Sequence, residues 1–189
     1  MKIMLSGVFL LLICLPAASQ IAGPDYFKRT VSSYYGGLSI VTGNDYYDPG
    51  FTLGANFLFR PIEYLGIGLA PSFNRWTVDE DDYRVDRASD NSISLYGAAR
   101  GIYPTPTEIN PYLQIGTGVN LMMNITKFSD QFTGMFSGEK HHDFDVYWGM
   151  TFTGGVSYKI LDLGFAFSFI NLERGTKRWI SITLGYVPF

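Results

Sequence analysis

Short segments in which every second residue is apolar or aromatic run through the chain from residue 51 to its end. In residues 51–60, FTLGANFLFR, the odd-numbered positions are apolar, and the even-numbered positions, apart from Leu58, are small or polar. Because successive side chains of a β-strand point to opposite faces, one face of this segment is hydrophobic and the other is mildly polar. The polar face carries almost no charge, unlike the water-facing side of a soluble sandwich. The pattern is therefore typical of a strand with lipid outside and a packed polar lumen inside.

The first 19 residues have the features of a secretory signal peptide. Lys2 supplies the positive start, Ile3 to Leu15 form the apolar core, and Ala17-Ala18-Ser19 offers a small-residue cleavage site. Pro16 ends the apolar run well before the roughly 20 residues that a membrane-spanning helix needs. We therefore expect a signal peptide over residues 1–19 and one mature domain over residues 20–189.

Composition narrows the fold class of the mature chain. The single cysteine, Cys14, lies in the signal peptide, so disulfides cannot stabilise the mature domain. Without Lys2, 13 basic residues stand against 17 acidic ones, and no basic cluster is present, which argues against nucleic-acid binding. No later stretch reaches 18 apolar residues, which excludes helical membrane spans, and no segment has helical periodicity. These features predict an all-β chain.

Eight segments are predicted strands, each about long enough to cross a bilayer when tilted, which takes roughly 9 to 11 residues. They are Ser33 to Thr42, Phe51 to Arg60, Leu65 to Trp76, Ser92 to Tyr103, Tyr112 to Ile125, Asp145 to Tyr158, Leu163 to Asn171 and Arg178 to Val187.

The predicted connections alternate in length. Those after the second, fourth and sixth strands are short, whereas Val78 to Asn91 and Thr126 to Phe144 are long and charged. An open sheet would leave unpaired N–H and C=O groups in lipid, so the strands must close on each other. We predict an eight-stranded antiparallel up-and-down transmembrane β-barrel with a loop rim outside the cell and a turn rim, with both termini, in the periplasm.

Aromatic residues cluster towards the two predicted rims, where amphipathic rings favour the membrane interface. Those assigned to the loop rim are Tyr34, Tyr35, Tyr46, Tyr47, Trp76, Tyr147, Trp148 and Trp179, and those assigned to the turn rim are Tyr64, Tyr103, Tyr112, Tyr158 and Tyr186. The pattern predicts two aromatic girdles.

Two short motifs resemble the outer-membrane β-barrel domain family, which includes small OmpX-like and OmpA-like barrels. One is residues 111–118, PYLQIGTG, where Pro-Tyr opens a strand that contains Gly-x-Gly, and the other is the chain end, residues 185–189, GYVPF. The resemblance implies that Tyr186 and Phe189 form an assembly signal for the barrel-assembly machinery. In one respect the chain departs from the family, because the strand alternation sends Phe189 inward unless Pro188 interrupts it.

The predicted lumen contains Arg60, Arg100, Asn56, Asn120 and Tyr96 together with many glycines. An eight-stranded barrel has room for filling side chains or for one small ligand. The glycines therefore either leave a cavity or make room for the long Arg and Tyr side chains. Because a buried unpaired charge is costly, the arginines need acidic partners, and Glu63 or Glu108 at the turn rim are the predicted ones.

The predicted long loops carry aromatic and histidine side chains suited to surface contacts, namely Tyr83, Phe132, Phe136, His141 and His142. The adjacent histidines precede Asp143 and Asp145, a set that suits either a transition metal or a solvated loop. We expect the solvated loop, with no metal and no cofactor.

These features favour a non-catalytic outer-membrane protein with a structural or adhesin-like role, whose loops contact lipopolysaccharide, a host surface or a partner protein. A narrow channel or carrier for a small solute is the alternative. A lipid A modifying enzyme is a third possibility, but a deacylase of that kind needs histidine and serine together on the lipid face of a strand. Both histidines fall in a predicted loop, and no His-x-Ser occurs.

Overall fold

Eight long strands form the protein in the computed structural model, which describes residues 30–43, 46–62, 64–78, 85–103, 105, 108–128, 140–172 and 175–188. The predicted signal peptide lies outside the described residues. The strands are β1 (Thr30–Thr42), β2 (Gly50–Ile62), β3 (Leu65–Val78), β4 (Val85–Ile102), β5 (Ile109–Phe128), β6 (Lys140–Tyr158), β7 (Leu161–Leu172) and β8 (Gly175–Tyr186). No helix in this part of the chain is long and apolar enough to cross a membrane.

Each strand pairs antiparallel with the next, and the last strand closes on the first. The β1–β8 ladder runs from Tyr34 opposite Tyr186 to Thr42 opposite Arg178. Closure pairs the backbone groups that an open sheet would expose to hydrocarbon. The predicted eight-stranded up-and-down barrel is confirmed.

The two faces of the barrel are inverted relative to those of a soluble protein. Large apolar side chains lie exposed around the outside, among them Leu38, Leu53, Ile67, Leu69, Ile93, Leu95, Leu113, Ile115, Val119, Phe152, Leu163, Phe165, Ile182 and Leu184. Buried positions are instead rich in Ser, Thr and Asn. Leu58, which interrupts the alternation of β2, points inward and packs with Ala70, Tyr96 and Ala98. A continuous apolar exterior of this kind is solvated by lipid chains and not by water.

Several strands extend further towards the loop rim than the sequence predicted. β4 begins at Val85 instead of Ser92, β5 ends at Phe128, and β6 begins at Lys140 instead of Asp145. His141 and His142 therefore lie in β6, and their predicted position in a loop is wrong. Hydrophobic alternation marks a strand only where one face meets an apolar environment, whereas residues 142–146 are exposed on both faces.

The predicted girdles are wrong for the most prominent aromatic residues. Trp76 and Trp179 lie inside the barrel, with Trp76 fully buried, and their rings meet edge to face at 5.3 Å between centroids. Tyr112 is also buried inside. Tyr34 and Tyr35 pair with the end of β8, so they lie towards the turn rim and not the loop rim. Inward register, which follows from strand pairing, overrides the general preference of these rings for the interface.

Placing an arginine on the outer face of the barrel tests whether lipid solvates that face. Leu69 lies near the middle of β3 and is 52% exposed. The variant Leu69→Arg should lower the free energy of unfolding of the protein in a bilayer by about 2–4 kcal/mol. Urea titration of the protein folded into lipid vesicles measures this loss. Leu69→Ile is the matched control, and an equally small effect of both substitutions would show that the face is not in hydrocarbon.

Candidate functional site

The lumen on the turn-rim side is organised around one buried arginine. Arg100, on β4, is 5% exposed. Its Nη1 lies 3.0 Å from Asp162 Oδ2, and its Nε donates to Gln114 Oε1 at 2.7 Å. Its guanidinium also stacks 4.0 Å from the centre of the Tyr112 ring, and the Tyr112 hydroxyl donates to the other oxygen of Asp162. Side chains from two other strands, β5 and β7, thus compensate a buried charge on β4 that would be costly alone.

The acid that pairs with Arg100 is not one of those predicted from the sequence. Glu108 instead forms an exposed ion pair with Lys159, with 3.1 Å between its Oε2 and the lysine Nζ. Glu63 lies outside the described residues. Asp162 falls in the predicted turn between the sixth and seventh strands, although its alternation with Gly164, Ala166 and Ser168 marks it as an inward position of β7. Extending the alternation by one residue would have found it.

The same network continues across the barrel through amide and hydroxyl groups. Gln114 donates from Nε2 to Asn56 Oδ1 at 2.9 Å, and Asn56 donates from Nδ2 to Ser33 Oγ at 3.0 Å. Closer to the loop rim, Asn120 is fully buried and accepts hydrogen bonds at Oδ1 from Ser94, at 2.6 Å, and from Tyr96, at 2.7 Å. The structure therefore places four of the predicted lumen residues, Asn56, Tyr96, Arg100 and Asn120, in one polar interior. Arg60 is half-buried near the turn-rim end of β2.

Inward glycines make room for tyrosine rings, as one of the two sequence interpretations proposed. A Cβ added to Gly54 would lie 2.4 Å from the Tyr35 hydroxyl oxygen. A Cβ added to Gly155 would lie 2.4 Å from the Tyr112 hydroxyl oxygen. The space left by the missing side chains is thus largely filled.

A small cavity remains at the centre of the barrel. Its volume is about 50 Å³, and the side chains of Tyr35, Ser72, Tyr96 and Thr183 are part of its polar lining. A buried water needs roughly 10–15 Å³, so the cavity has room for a few waters. It is well below the roughly 300–1,000 Å³ of a small-molecule site.

A second buried ion pair lies in the lumen at the loop rim. Lys177 Nζ lies 2.7 Å from Asp90 Oδ2, and the Tyr47 hydroxyl donates to the same oxygen at 2.7 Å. The ammonium also lies 4.1 Å from the Tyr47 ring centre and 4.5 Å from that of Trp76. Burial raises the pKa of Tyr47 above its usual value, and the negative charge of Asp90 raises it further.

An apolar layer lies with this ion pair. Trp76 and Trp179 pack there with Val41, Met122 and Ile170, and Trp76 donates its indole N–H to Ser39 Oγ at 3.1 Å. Sequence reasoning missed this layer because it assigned both tryptophans to an outer girdle. It missed Asp90 and Lys177 because both fell in predicted connections. The alternation from Asp90 through Ser92 to Arg100 and from Lys177 to Gly185 contained the signal.

The remaining predicted site residues do not join this interior. Tyr83, Phe132, Phe136 and Phe189 lie outside the described residues. His142 is exposed on β6, with its ring stacked 6.5 Å from that of Phe144, and Tyr186 is exposed on the outer face of β8. His141 lies beside His142 in the same strand. Within the described ranges, no three His, Cys, Asp or Glu side chains are grouped so that they could hold a metal ion.

The chain is similar to known proteins in its fold and not in its sequence. No protein-family model and no curated protein matches the sequence. Among solved structures, the chain is similar to neisserial surface protein A at 17% identity and a TM-score of 0.55, covering 84% of this chain and 94% of that one. Ail of Yersinia pestis, solved with the heparin analogue sucrose octasulfate, matches at 14% identity, with coverages of 84% and 97% and a TM-score of 0.47. OprG of Pseudomonas aeruginosa matches at 14% identity, with coverages of 85% and 96% and a TM-score of 0.46.

Breaking the turn-side ion pair should destabilise the barrel strongly. Asp162→Ala leaves Arg100 buried without its acid, so we expect a loss of about 3–5 kcal/mol in the free energy of unfolding, measured by urea titration in vesicles. The double variant Arg100→Met, Asp162→Leu should lose less than Asp162→Ala. Glu108→Ala, in the exposed pair, should change stability by about 1 kcal/mol or less. Equal effects of Asp162→Ala and Glu108→Ala would contradict this account.

The raised pKa of Tyr47 predicts that the protein loses folding stability at alkaline pH. Because the folded-state pKa lies above the unfolded value of 10.0, the contribution of this group is complete below pH 10 and is lost as the pH rises towards the folded value. The variant Tyr47→Phe should therefore lose less stability than the parent between pH 9 and pH 11. Urea midpoints of both proteins at the two pH values measure the difference. The same change in midpoint for the parent and for Tyr47→Phe would refute the prediction.

Proposed function

We propose that the chain is an integral protein of the bacterial outer membrane whose barrel is a non-conducting anchor for a surface-interaction region. One observation carries the proposal: an apolar exterior surrounds a lumen that buried side chains pack at two levels. The Arg100–Asp162 pair closes it on the turn-rim side, and the Lys177–Asp90 pair with the tryptophan layer closes it at the loop rim. Outer-membrane lipid and lipopolysaccharide are the proposed surroundings of the exterior.

The orientation follows the rule for such barrels, with the turn rim and the chain end in the periplasm and the loop rim outside the cell. Strand length supports this assignment. β6 has 19 residues, whereas a tilted strand needs about 9–11 to cross the bilayer. Measured from its turn-rim end at Tyr158, the strand leaves the hydrocarbon near residue 148. The upper parts of β4, β5 and β6 thus form an extracellular surface for a partner.

We also propose that the protein is not an enzyme. Although the histidines lie in a strand after all, His142 has Ile125 as its cross-strand neighbour and Phe144 as its neighbour on the same face. Neither residue is a nucleophile or an acid, so this part of the outer face lacks the serine that a lipid A deacylase would need. We expect the mass spectrum of lipid A from cells that express the protein to match that of cells without it.

The channel alternative is disfavoured by the same packing. A solute path would need both buried ion pairs and the tryptophan layer to move, because the cavity between them has a volume of only about 50 Å³. The assembly role of Tyr186 and Phe189 is part of the proposal, and the exposed outward position of Tyr186 is compatible with recognition by another protein.

Conductance and surface access test the proposal together. In planar bilayers the protein should pass no steady current, whereas Lys177→Ala and Trp179→Ala combined with Arg100→Ala and Asp162→Ala, which remove both levels of packing, should admit ions. Leu163→Ala, on the outer face, is the matched control that should remain closed. A steady current through the unmodified barrel would favour the channel.

Cell-surface labelling tests the orientation. An epitope inserted in residues 129–139 should be reached by antibody on intact cells, whereas one added at the C-terminus should be reached only after the outer membrane is permeabilised. The reverse result would overturn the proposed orientation.

A further inference from the structure

Two exposed arginines mark where the outer face of the barrel leaves the hydrocarbon. Counted towards the loop rim, Arg75 lies ten residues from Leu65, the first residue of β3, and Arg178 lies eight residues from Tyr186, the last residue of β8. Both arginines are exposed and alternate with buried residues, so both stand on the outer face. A tilted strand crosses the bilayer in about 9–11 residues, and an arginine in hydrocarbon is costly. The boundary on the loop-rim side therefore lies close to these two residues.

On three strands the outer face becomes polar at or beyond this boundary. Thr77 is the next outward residue after Arg75 on β3, and Thr176 is the next one beyond Arg178 on β8. Asn171 lies ten residues from the turn-rim end of β7. All three side chains are exposed. These strands thus present a water-facing surface above the bilayer.

The outer face of β5 and β6 stays apolar beyond the same boundary. Leu121 pairs with Val146, and Met123 pairs with Phe144 in the next row towards the loop rim. Val146 and Phe144 lie 12 and 14 residues from Tyr158, the turn-rim end of β6, so both are past the span that a bilayer needs. They are 68% and 52% exposed. We call Leu121, Met123, Phe144 and Val146 the β5–β6 patch.

An apolar patch at this level is not covered by lipid chains. Contact of apolar side chains with water is unfavourable, and contiguous exposed patches mark interaction sites on protein surfaces. Within the hydrocarbon, outward residues have no comparable drive to associate, because lipid tails are as apolar as leucine. On the described part of the outer face, the β5–β6 patch is therefore a place where burial against another protein surface gains a hydrophobic contribution.

We propose that the β5–β6 patch binds the same patch of a second copy, so that two barrels associate side by side about a two-fold axis along the membrane normal. The inference deepens the proposed function and rests on it, since the barrel must span a membrane. Copies in one bilayer share one depth, so the axis brings the patch of one copy level with that of the other. The polar outer faces of β3, β7 and β8 offer no such match.

The charges near the β5–β6 patch allow this contact. None of the four residues in the patch is charged, so two copies face each other there without repulsion and a charged partner gains nothing from it. Asp143 and Asp145 alternate with Phe144 and Val146 along β6, and they therefore lie on the opposite face of the sheet. The carboxylates of two copies are thus separated by the sheets themselves.

The size of the β5–β6 patch indicates where association is expected. Its four side chains expose on the order of 300 Å² in each copy, whereas stable complexes of soluble proteins bury roughly 1,200–2,000 Å² in total. The membrane holds both copies at one depth and in one orientation, which removes part of the entropic cost of binding. We expect dimers in the membrane and monomers in dilute detergent solution.

Cysteine crosslinking in the membrane tests the inference. The only cysteine of the chain is Cys14, in the predicted signal peptide, so an introduced cysteine is the only thiol of the proposed mature protein. In the outer membrane of cells that express it, Val146→Cys should form a dimer with a short bismaleimide. Thr77→Cys, exposed at a similar level on β3, is the matched control and should give about tenfold less dimer, because its thiols meet only by collision. Equal yields would overturn the proposal.

The mass of the crosslinked product identifies the occupant of the β5–β6 patch. Two copies joined at residue 146 would support the proposal. A product that joins one copy to a different protein, with no dimer beside it, would overturn the second copy and identify that protein as the occupant.

Charge substitutions at Phe144 test whether two patches meet. In the Val146→Cys protein, Phe144→Asp and Phe144→Lys should each lower the dimer yield about tenfold, because like charges then oppose each other across the axis. Cells that make both variants together should regain dimer, because opposite charges meet. Phe144→Leu is the matched control and should keep the parent yield. If the mixed cells give no more dimer than either variant alone, the two patches do not meet and the proposal fails.

The proposed function can fail separately from this inference. Crosslinking reports association whichever rim is outside the cell, whereas the epitope in residues 129–139 reports which rim that is. If the epitope is reached on intact cells but Val146→Cys and Thr77→Cys give equal yields, only the inference fails. If the dimer forms but the epitope is inaccessible, the orientation in the proposed function fails.

Discussion

The pairing of backbone N–H and C=O groups in a medium without water is the constraint on which this structure depends. A strand edge in hydrocarbon leaves groups that cost several kcal/mol each, so the sheet must close. In the described chain, β1 meets β8 over a continuous ladder, and that closure sets how wide the interior is. With eight strands the interior is just wide enough for side chains, so the inward residues must fill it. The lumen of this protein is thus packed as a direct result of closure.

Filling a closed interior with polar groups requires each to find a partner, because solvent is excluded. The barrel meets this requirement in layers for most inward groups, although Asp90 Oδ1 and Asn120 Nδ2 have no hydrogen-bond partner among the described residues. Arg100 and Asp162 form one ion pair, with Tyr112 bound to both, and Lys177 and Asp90 form the other at the loop rim. Each pair joins strands that are not neighbours, β4 with β7 and β4 with β8. Such cross-barrel pairs hold opposite walls at fixed separation, and they are the contacts that we propose close the lumen.

Above the bilayer the constraint on backbone pairing is relaxed, because water can satisfy a free edge. In the part of the chain that the structure describes, this is where β6 extends beyond its pairing with β7, which begins at Gly149. Only outside the lipid can an open edge be kept without the cost that forces closure below. The division between a sealed barrel and a loop-rim extension of β6 therefore follows from a change of solvent along a single strand. The proposed surface role places interaction in the one region where the solvent permits it.

Alternation in the sequence by itself determined the strand number, the inward and outward faces, and the closed barrel, because the period of two is local and lipid makes one face apolar. It also placed Asn56, Tyr96, Arg100 and Asn120 in the lumen. Only the tertiary structure decided which acid meets Arg100, since Asp162 lies 62 residues away and no local pattern links the two. It likewise turned Trp76 and Trp179 inward and carried β6 through His141 and His142. Partners across a barrel depend on register and closure, and strand ends in water show no hydrophobic period, so neither is recorded in the local pattern.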